Sequence, residues 1–168
     1  MSTSERIDLR PVTVADHAAI VACNDAEVPR VSHLGSDGLV DLLRYVDLGV
    51  LVEVDGVLAG FVLAIAPGTA YRSVNYRAFE ERGSDHLYVD RLVTVPSFRR
   101  RGLATRLSDA VEDHARATGR AEVTCEVNVR PPNPASLAFH RARGFREVGR
   151  QDTTGGTLTV ALLAKPLA

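Results

Sequence analysis

The chain has 168 residues, 45% of them hydrophobic and 24% charged, with 20 basic against 21 acidic side chains and a formal net charge of −1. That apolar fraction is too high for a disordered chain, and 13 glycines with 8 prolines are too few for a low-complexity one. The charge balance argues against a nucleic-acid partner, because a protein that covers phosphates carries a positive excess.

The length fits one domain, 1–168, able to bury roughly two-thirds of its unfolded surface. Cys23 and Cys125 stand far apart, with no CxxC pair and no histidine at ligand spacing. This argues against a disulfide scaffold and against a metal site, and it fits a reducing cytoplasm. Met1 to Leu9 is polar and lacks the apolar core of a signal peptide. The longest apolar stretch, Val57 to Pro67, falls far short of the ~20 residues that a membrane span needs.

Ile7, Leu9 and Pro11 end a short first strand. Thr13 stands three residues before Asp16, the spacing of a capping box, and predicts a helix through about Asn24 with Ile20 and Val21 on its buried face. Ser36 and Asp37 open a second helix, in which Leu39, Leu42, Leu43 and Val46 share one side. Strands follow over Val50–Val54 and Val57–Ile65. The intervening Asp55–Gly56 is a hairpin signal, because a type I′ turn needs positive φ at both central positions. Ala66 to Asp85 is polar, carries Tyr71, Tyr76 and Phe79, and reads as a long loop: a lid or a wall of a binding site.

Leu87 to Val95 reads as a strand stopped by Pro96. After Gly102 the helical period resumes, with Leu103, Leu107 and Val111 four apart and Gly119 as the stop. Ala121–Val129 is the next strand. Asn133–Pro134 then caps a helix that runs to Arg143 and ends at Gly144. Phe145–Arg150 and Leu158–Leu163 form a last antiparallel pair. The order β-α-α-β-β-β-α-β-α-β-β predicts a mixed α/β sheet of about seven strands with about four helices on its faces.

The stretch from Leu92 to Thr105 (LVTVPSFRRRGLAT) places a basic, glycine-containing turn between a strand and a helix. A helix N-terminus offers unpaired N–H groups and about half a positive charge, so Arg99, Arg100 and Arg101 beside it make an anion seat. The turn has neither the GxxxxGK[ST] pattern of a P-loop nor the three glycines of a dinucleotide fingerprint. By itself it could also be a solvated basic turn.

A second constellation follows the next strand: Asn133–Pro134, Phe139–His140 and Gly144–Phe145. Together with the Arg-x-x-Gly-x-Ala turn at Arg99 to Ala104, it resembles the GNAT superfamily of N-acetyltransferases, from Leu87 to Arg150. The Phe-His pair is similar to the phosphinothricin-type members. The resemblance implies a mostly antiparallel sheet with a splay between the fourth and fifth strands, and acetyl-CoA as co-substrate with no metal. The amides of Arg100, Arg101, Gly102, Leu103, Ala104 and Thr105 would hold the diphosphate, with the Thr105 hydroxyl as a further donor. The backbone of Leu92, Val93 and Thr94 would pair with the pantetheine arm, and the N–H near Leu92 would polarise the thioester carbonyl.

Asn133 would contact the pantetheine or cap its helix, and Phe139 would lie beside the cofactor or pack in the core. Many family members place a tyrosine where this chain has His140. The histidine would protonate the departing thiolate or only hydrogen-bond locally, and Tyr88 is the alternative donor. An amine acceptor must also lose a proton. By the period of two, Asp90, Leu92 and Thr94 share one strand face, and Thr124, Glu126 and Asn128 share another. Glu126 and Asp90 are therefore the candidate bases. Each has a competing structural role, Asp90 beside Arg91 and Glu126 paired with an arginine such as Arg130. The acceptor is open, from a small-molecule amine to a peptide, and the resemblance leaves a homodimer open. Two other readings stand beside the enzyme: an acyl-CoA-binding module without turnover, and a nucleic-acid binder using Arg91, Arg99–Arg101 and Arg106.

Overall fold

The computed structural model describes residues 4–168; residues 1–3, the start of the polar stretch considered as a leader, lie outside it. The strands are β1 (Ile7–Pro11), β2 (Val46–Val54), β3 (Val57–Ile65), β4 (His86–Thr94), β5 (Glu122–Arg130), β6 (Arg146–Thr153) and β7 (Leu158–Pro166). They form one sheet in the order β1-β2-β3-β4-β5-β7-β6. Every neighbouring pair is antiparallel except β4 and β5, which run parallel.

The helices are α1 (His17–Asp25), α2 (Gly35–Leu43), α3 (Val74–Arg82), α4 (Leu103–Ala117) and α5 (Pro134–Ala142). Leu103, Leu107, Val111 and Ala115 of α4 pack on one face of the sheet, against Val52, Val62, Leu87 and Val123. Ile20 of α1, Leu39 of α2, and Tyr76 and Phe79 of α3 cover the other face, against Leu51, Phe61, Leu63 and Tyr88. This sandwiching explains why β3 is apolar along its length: Val62 and Ala64 face one layer while Phe61, Leu63 and Ile65 face the other. At the β2–β3 turn, Asp55 has φ +49° and Gly56 φ +79°, as the type I′ reading requires.

Two expectations are corrected. Among the described residues there are five α-helices rather than about four, because the segment read as a loop contains α3. Its caps are ordinary: the Ser73 hydroxyl accepts from the Tyr76 N–H at 3.4 Å, and Gly83 closes the helix in the left-handed conformation. Only Tyr76 and Phe79 are buried along it, so the apolar stripe is one turn long and too short to register as a period. Val46 belongs to β2 and pairs with Ile65, rather than extending α2.

Candidate active site

The parallel contact between β4 and β5 lasts for three residue pairs: His86 with Glu122, Leu87 with Val123 and Tyr88 with Thr124. Beyond that the strands part. Strand β4 stays with β3 as far as the Gly60–Thr94 pair, and β5 stays with β7 as far as the Arg130–Thr159 pair. The backbone of residues 89–94 and that of residues 125–130 therefore border an open fork. Such groups need partners wherever water is excluded. On the α4 side the fork leads into a narrow, mostly apolar crevice between Val89, Leu92, Cys125, Val111 and His140.

A β-bulge sits just past the apex. Leu63 pairs with Arg91 and Ala64 with Val89, so Asp90 is an extra residue in β4. The inserted residue breaks the period of two and corrects the expected face. Leu92 packs with the α4 layer, whereas the Asp90 carboxylate turns to the α1–α3 side, where its Oδ1 accepts from the Tyr71 hydroxyl at 2.7 Å. Asp90 and Leu92 thus lie on opposite faces of the sheet. Glu126 is on the Asp90 side, because Val123, Cys125 and Val127 of β5 face α4.

Around the fork on this side, Tyr88 donates to Glu126 Oε2 at 2.7 Å. Burial and the nearby Asp90 charge push the Glu126 carboxyl up to about 8, against the hydrogen bonds from Tyr88 and Asn75. Burial also raises Asp90, against the attraction of Arg91 and the Tyr71 hydrogen bond. Arg91 Nε approaches Asp90 Oδ2 at 3.2 Å, yet neither atom has a hydrogen-bond partner. The Arg91 guanidinium instead donates to Asn24 Oδ1 at 3.0 Å, Ser32 O at 2.6 Å and Ser32 Oγ at 2.9 Å, which ties β4 to the α1–α2 connection. Asn128 of β5 donates to Pro29 O in the same connection, at 3.4 Å. The α1–α2 connection therefore reaches both arms of the fork. Arg130 does not pair with Glu126. It donates to Gly156 O at 3.1 Å, across a bulge at the end of β5 that carries it away from the fork.

At the start of α4, Gly102 has φ +73° and Arg100 φ +62°, and no side chain caps the helix. Gly102 O accepts from Arg106 N–H at 3.1 Å, so the amides of the first turn have no partner within the helix. Two of the three arginines are engaged by carboxylates. Arg99 pairs with Glu27 of the α1–α2 connection. Arg101 pairs with Glu5 at 2.6 Å and lies over the Phe98 ring at 5.2 Å. Arg100 is exposed.

On α5, the Asn133 side chain accepts from Ser136 N–H at 3.4 Å, which is a helix cap. Phe139 is partly buried, edge-on to His140 with ring centroids 5.2 Å apart. His140 Nδ1–H donates to Ser136 O at 2.8 Å, and burial lowers its pKa. At neutral pH the ring is therefore mostly uncharged, with its single proton already engaged on Nδ1.

The structure thus brings Glu126, Asp90 and Tyr88 together and sets His140 on the opposite side of the sheet. It adds Asn75 and Gln151, which the sequence reading missed, and Tyr71, which that reading placed only in a candidate lid or wall. They come from a segment read as loop and from a strand at the sheet edge, and no motif spacing joins them. Among the described residues, no group of three or more His, Cys, Asp or Glu side chains is placed to hold a metal ion, and no helix is long and apolar enough to cross a membrane.

Solved structures share this fold at low sequence identity. Ard1 from Thermoplasma volcanium superposes with a TM-score of 0.78 at 15% identity, over 96% of this chain and 98% of that one. A structure assigned as a phosphinothricin N-acetyltransferase gives 0.74 at 16% identity, over 97% and 99%. The protein yncA from Salmonella typhimurium, assigned as an acetyltransferase and solved with acetyl-CoA, gives 0.70 at 20% identity, over 97% and 95%. No curated protein sequence matches the chain. Residues 24–145 match the model of the acetyltransferase (GNAT) family, a span that takes in the fork, the basic turn and the Asn-led helix. The chain belongs to that family and is an acyltransferase.

Proposed function

We propose that the protein transfers the acetyl group of acetyl-CoA to a primary amine by direct attack, with Glu126 as the base. The observation that carries this reading is the fork: two central strands that stop pairing at Tyr88 and Thr124, with a raised carboxyl two residues past the apex. The first-turn amides of α4, from Leu103 to Thr105, with Gly102 ahead of them and the backbone of Arg100 and Arg101, hold the diphosphate. The Thr105 hydroxyl adds a donor. A left-handed Gly102 and an uncapped helix suit an anion that supplies the missing acceptors. The backbone of Leu92, Val93 and Thr94 pairs with the pantetheine arm, and the Leu92 amide polarises the thioester carbonyl.

The amine nitrogen attacks the carbonyl carbon and its proton passes to Glu126, directly or through one water. Asp90 keeps the ammonium form attracted to the fork. The C–S bond then breaks and the thiolate leaves. A thiol pKa near ~8.5 makes that departure inexpensive without a protein acid. This suits His140, whose one proton is held by Ser136. Asn133 acts as a helix cap, and Phe139 packs edge-on against His140, which lines the crevice.

Free coenzyme A thiol should appear from acetyl-CoA only when a primary amine is added, in proportion to acetylated amine found by mass spectrometry. Coenzyme A binding without thiol release across small amines and peptide N-termini would overturn the reading in favour of a binding module.

Arg99 carries a second expectation. It is 41% exposed and held by Glu27, which is 9% exposed. A diphosphate that draws on Arg99 must compete with that carboxylate. Glu27→Gln is expected to tighten coenzyme A binding by about three- to tenfold in calorimetric titration, part of one charge-assisted contact discounted for solvent screening. Unchanged or weaker binding would show that Arg99 does not turn to the diphosphate.

A further inference from the structure

We propose that Gln151 is a positioning residue for the Glu126 carboxylate, acting through the Asn75 amide that it orients. This rests on the reading of Glu126 as the base. The two amides meet across the α1–α3 face: Gln151 Nε2 donates to Asn75 Oδ1 at 2.6 Å, from β6 at the sheet edge to the first turn of α3. Both side chains are partly buried. An asparagine amide has one oxygen and one NH2, so engaging the oxygen decides which end is left over. Here the NH2 is left over, near enough to Glu126 for a donor there to favour the ionised carboxylate.

The other groups facing Glu126 are Tyr88, which donates to it, Asp90, which opposes its charge, and Arg91, which supports it, all on β4; Tyr71, before α3, lies close enough to feel its charge. The residue opposite it on β7, Leu162, is apolar. Tyr88 and Asn75 both lower the Glu126 carboxyl, against the larger effects of burial and Asp90. The Asn75 NH2 is the further donor on this side, and Gln151 is what keeps it from turning over. This gives α3 a purpose beyond covering the core: it carries the donor to the fork.

The test reverses the amide. In Gln151→Glu the new carboxylate only accepts, so the Asn75 NH2 turns toward it and the Asn75 oxygen faces Glu126. The acidic limb of kcat/KM for amine acetylation is expected to move up by about one pH unit, a roughly tenfold loss on that limb, with the high-pH plateau and coenzyme A affinity unchanged. The Glu126 carboxyl 13C titration, assigned by its loss in Glu126→Gln, should move by the same amount. Through-space repulsion from the added charge would act without Asn75. The same substitution is therefore made in Asn75→Leu, where no further shift is expected. An unmoved titration in Gln151→Glu, or an equal shift in the Asn75→Leu background, would overturn the proposal. Gln151→Met removes the donor without adding charge and should move the titration in the same direction by less; no movement there would also count against it. A shifted 13C titration with an unshifted pH–rate profile would leave the amide clamp standing and remove Glu126 as the base.

Discussion

Glu126→Gln lowers kcat/KM for amine acetylation by about 10²- to 10⁴-fold near neutral pH, the usual span of a general base. An alkylamine of pKa ~10.4 is neutral only to about 1 part in 2,500 at pH 7, which costs about 4.6 kcal/mol. A carboxyl at about 8 is a far closer match to that proton than one at its ordinary 4.5. The sign follows from the direction of the shift. The base is active when ionised, so wild-type activity falls tenfold per unit as the pH drops below about 8. The glutamine variant should lose that limb and recover activity only as the amine itself deprotonates toward pH 10. Its side-chain oxygen can still accept from Tyr88, so the fold is expected to survive, which thermal unfolding would check. Wild-type rates with an unchanged profile would exclude Glu126 as the base.

Gly102→Glu is the second large effect, and it concerns binding rather than chemistry. Coenzyme A affinity in calorimetric titration should fall by about a hundredfold or more. A Cβ at this position meets no atom within 4 Å, so the protein itself has room for a side chain. The backbone has φ +73°, where an L-residue costs roughly 1–2 kcal/mol, a modest charge against the fold. The binding loss comes from placing a carboxylate where the α4 amides and the helix dipole are read as holding an anion, with each lost charge-assisted contact worth about 1.5–3 kcal/mol. Gly102→Ala separates the terms, because it shares the backbone cost and lacks the charge; it should bind more tightly than the glutamate variant. A glutamate variant that binds coenzyme A at wild-type strength would move the diphosphate site away from α4.

The fork explains why these two effects belong to different surfaces. The basic turn lies at the end of β4, whereas Glu126 and Asp90 lie near the apex on the α1–α3 side. The α1–α2 connection touches both regions, through Glu27 to Arg99 and through Ser32 to Arg91. Donor and acceptor would therefore meet through the sheet rather than across one pocket wall, and the parting of β4 and β5 is what permits it.

Much of this architecture was legible in the amino-acid order. Asp55–Gly56 specified a hairpin because two successive positive φ angles suit that pair and few others. The four-residue recurrence of Leu103, Leu107 and Val111 defined the buried stripe of α4, and Asn133–Pro134 marked the start of α5. The basic turn and the Asn-led helix, in that order, led to the family. These are preferences of a residue and its near neighbours, and a chain carries them wherever it goes.

The protonation chemistry of the fork was decided elsewhere. The bulge at Asp90 exists only relative to β3, so a period of two along β4 could not reveal that Asp90 and Leu92 face opposite ways. Tyr88 and Glu126 are 38 residues apart, Arg99 and Glu27 are 72 apart, and Asn75 and Gln151 are 76 apart. Hydrogen bonds and desolvation act over a few ångströms of space and take no account of distance along the chain. The sequence by itself determined the strands, every described α-helix except α3, their order and the basic turn at the start of α4. Only the packed sheet decided which carboxyls meet at the fork, which side chains surround them, and which arginines are already paired.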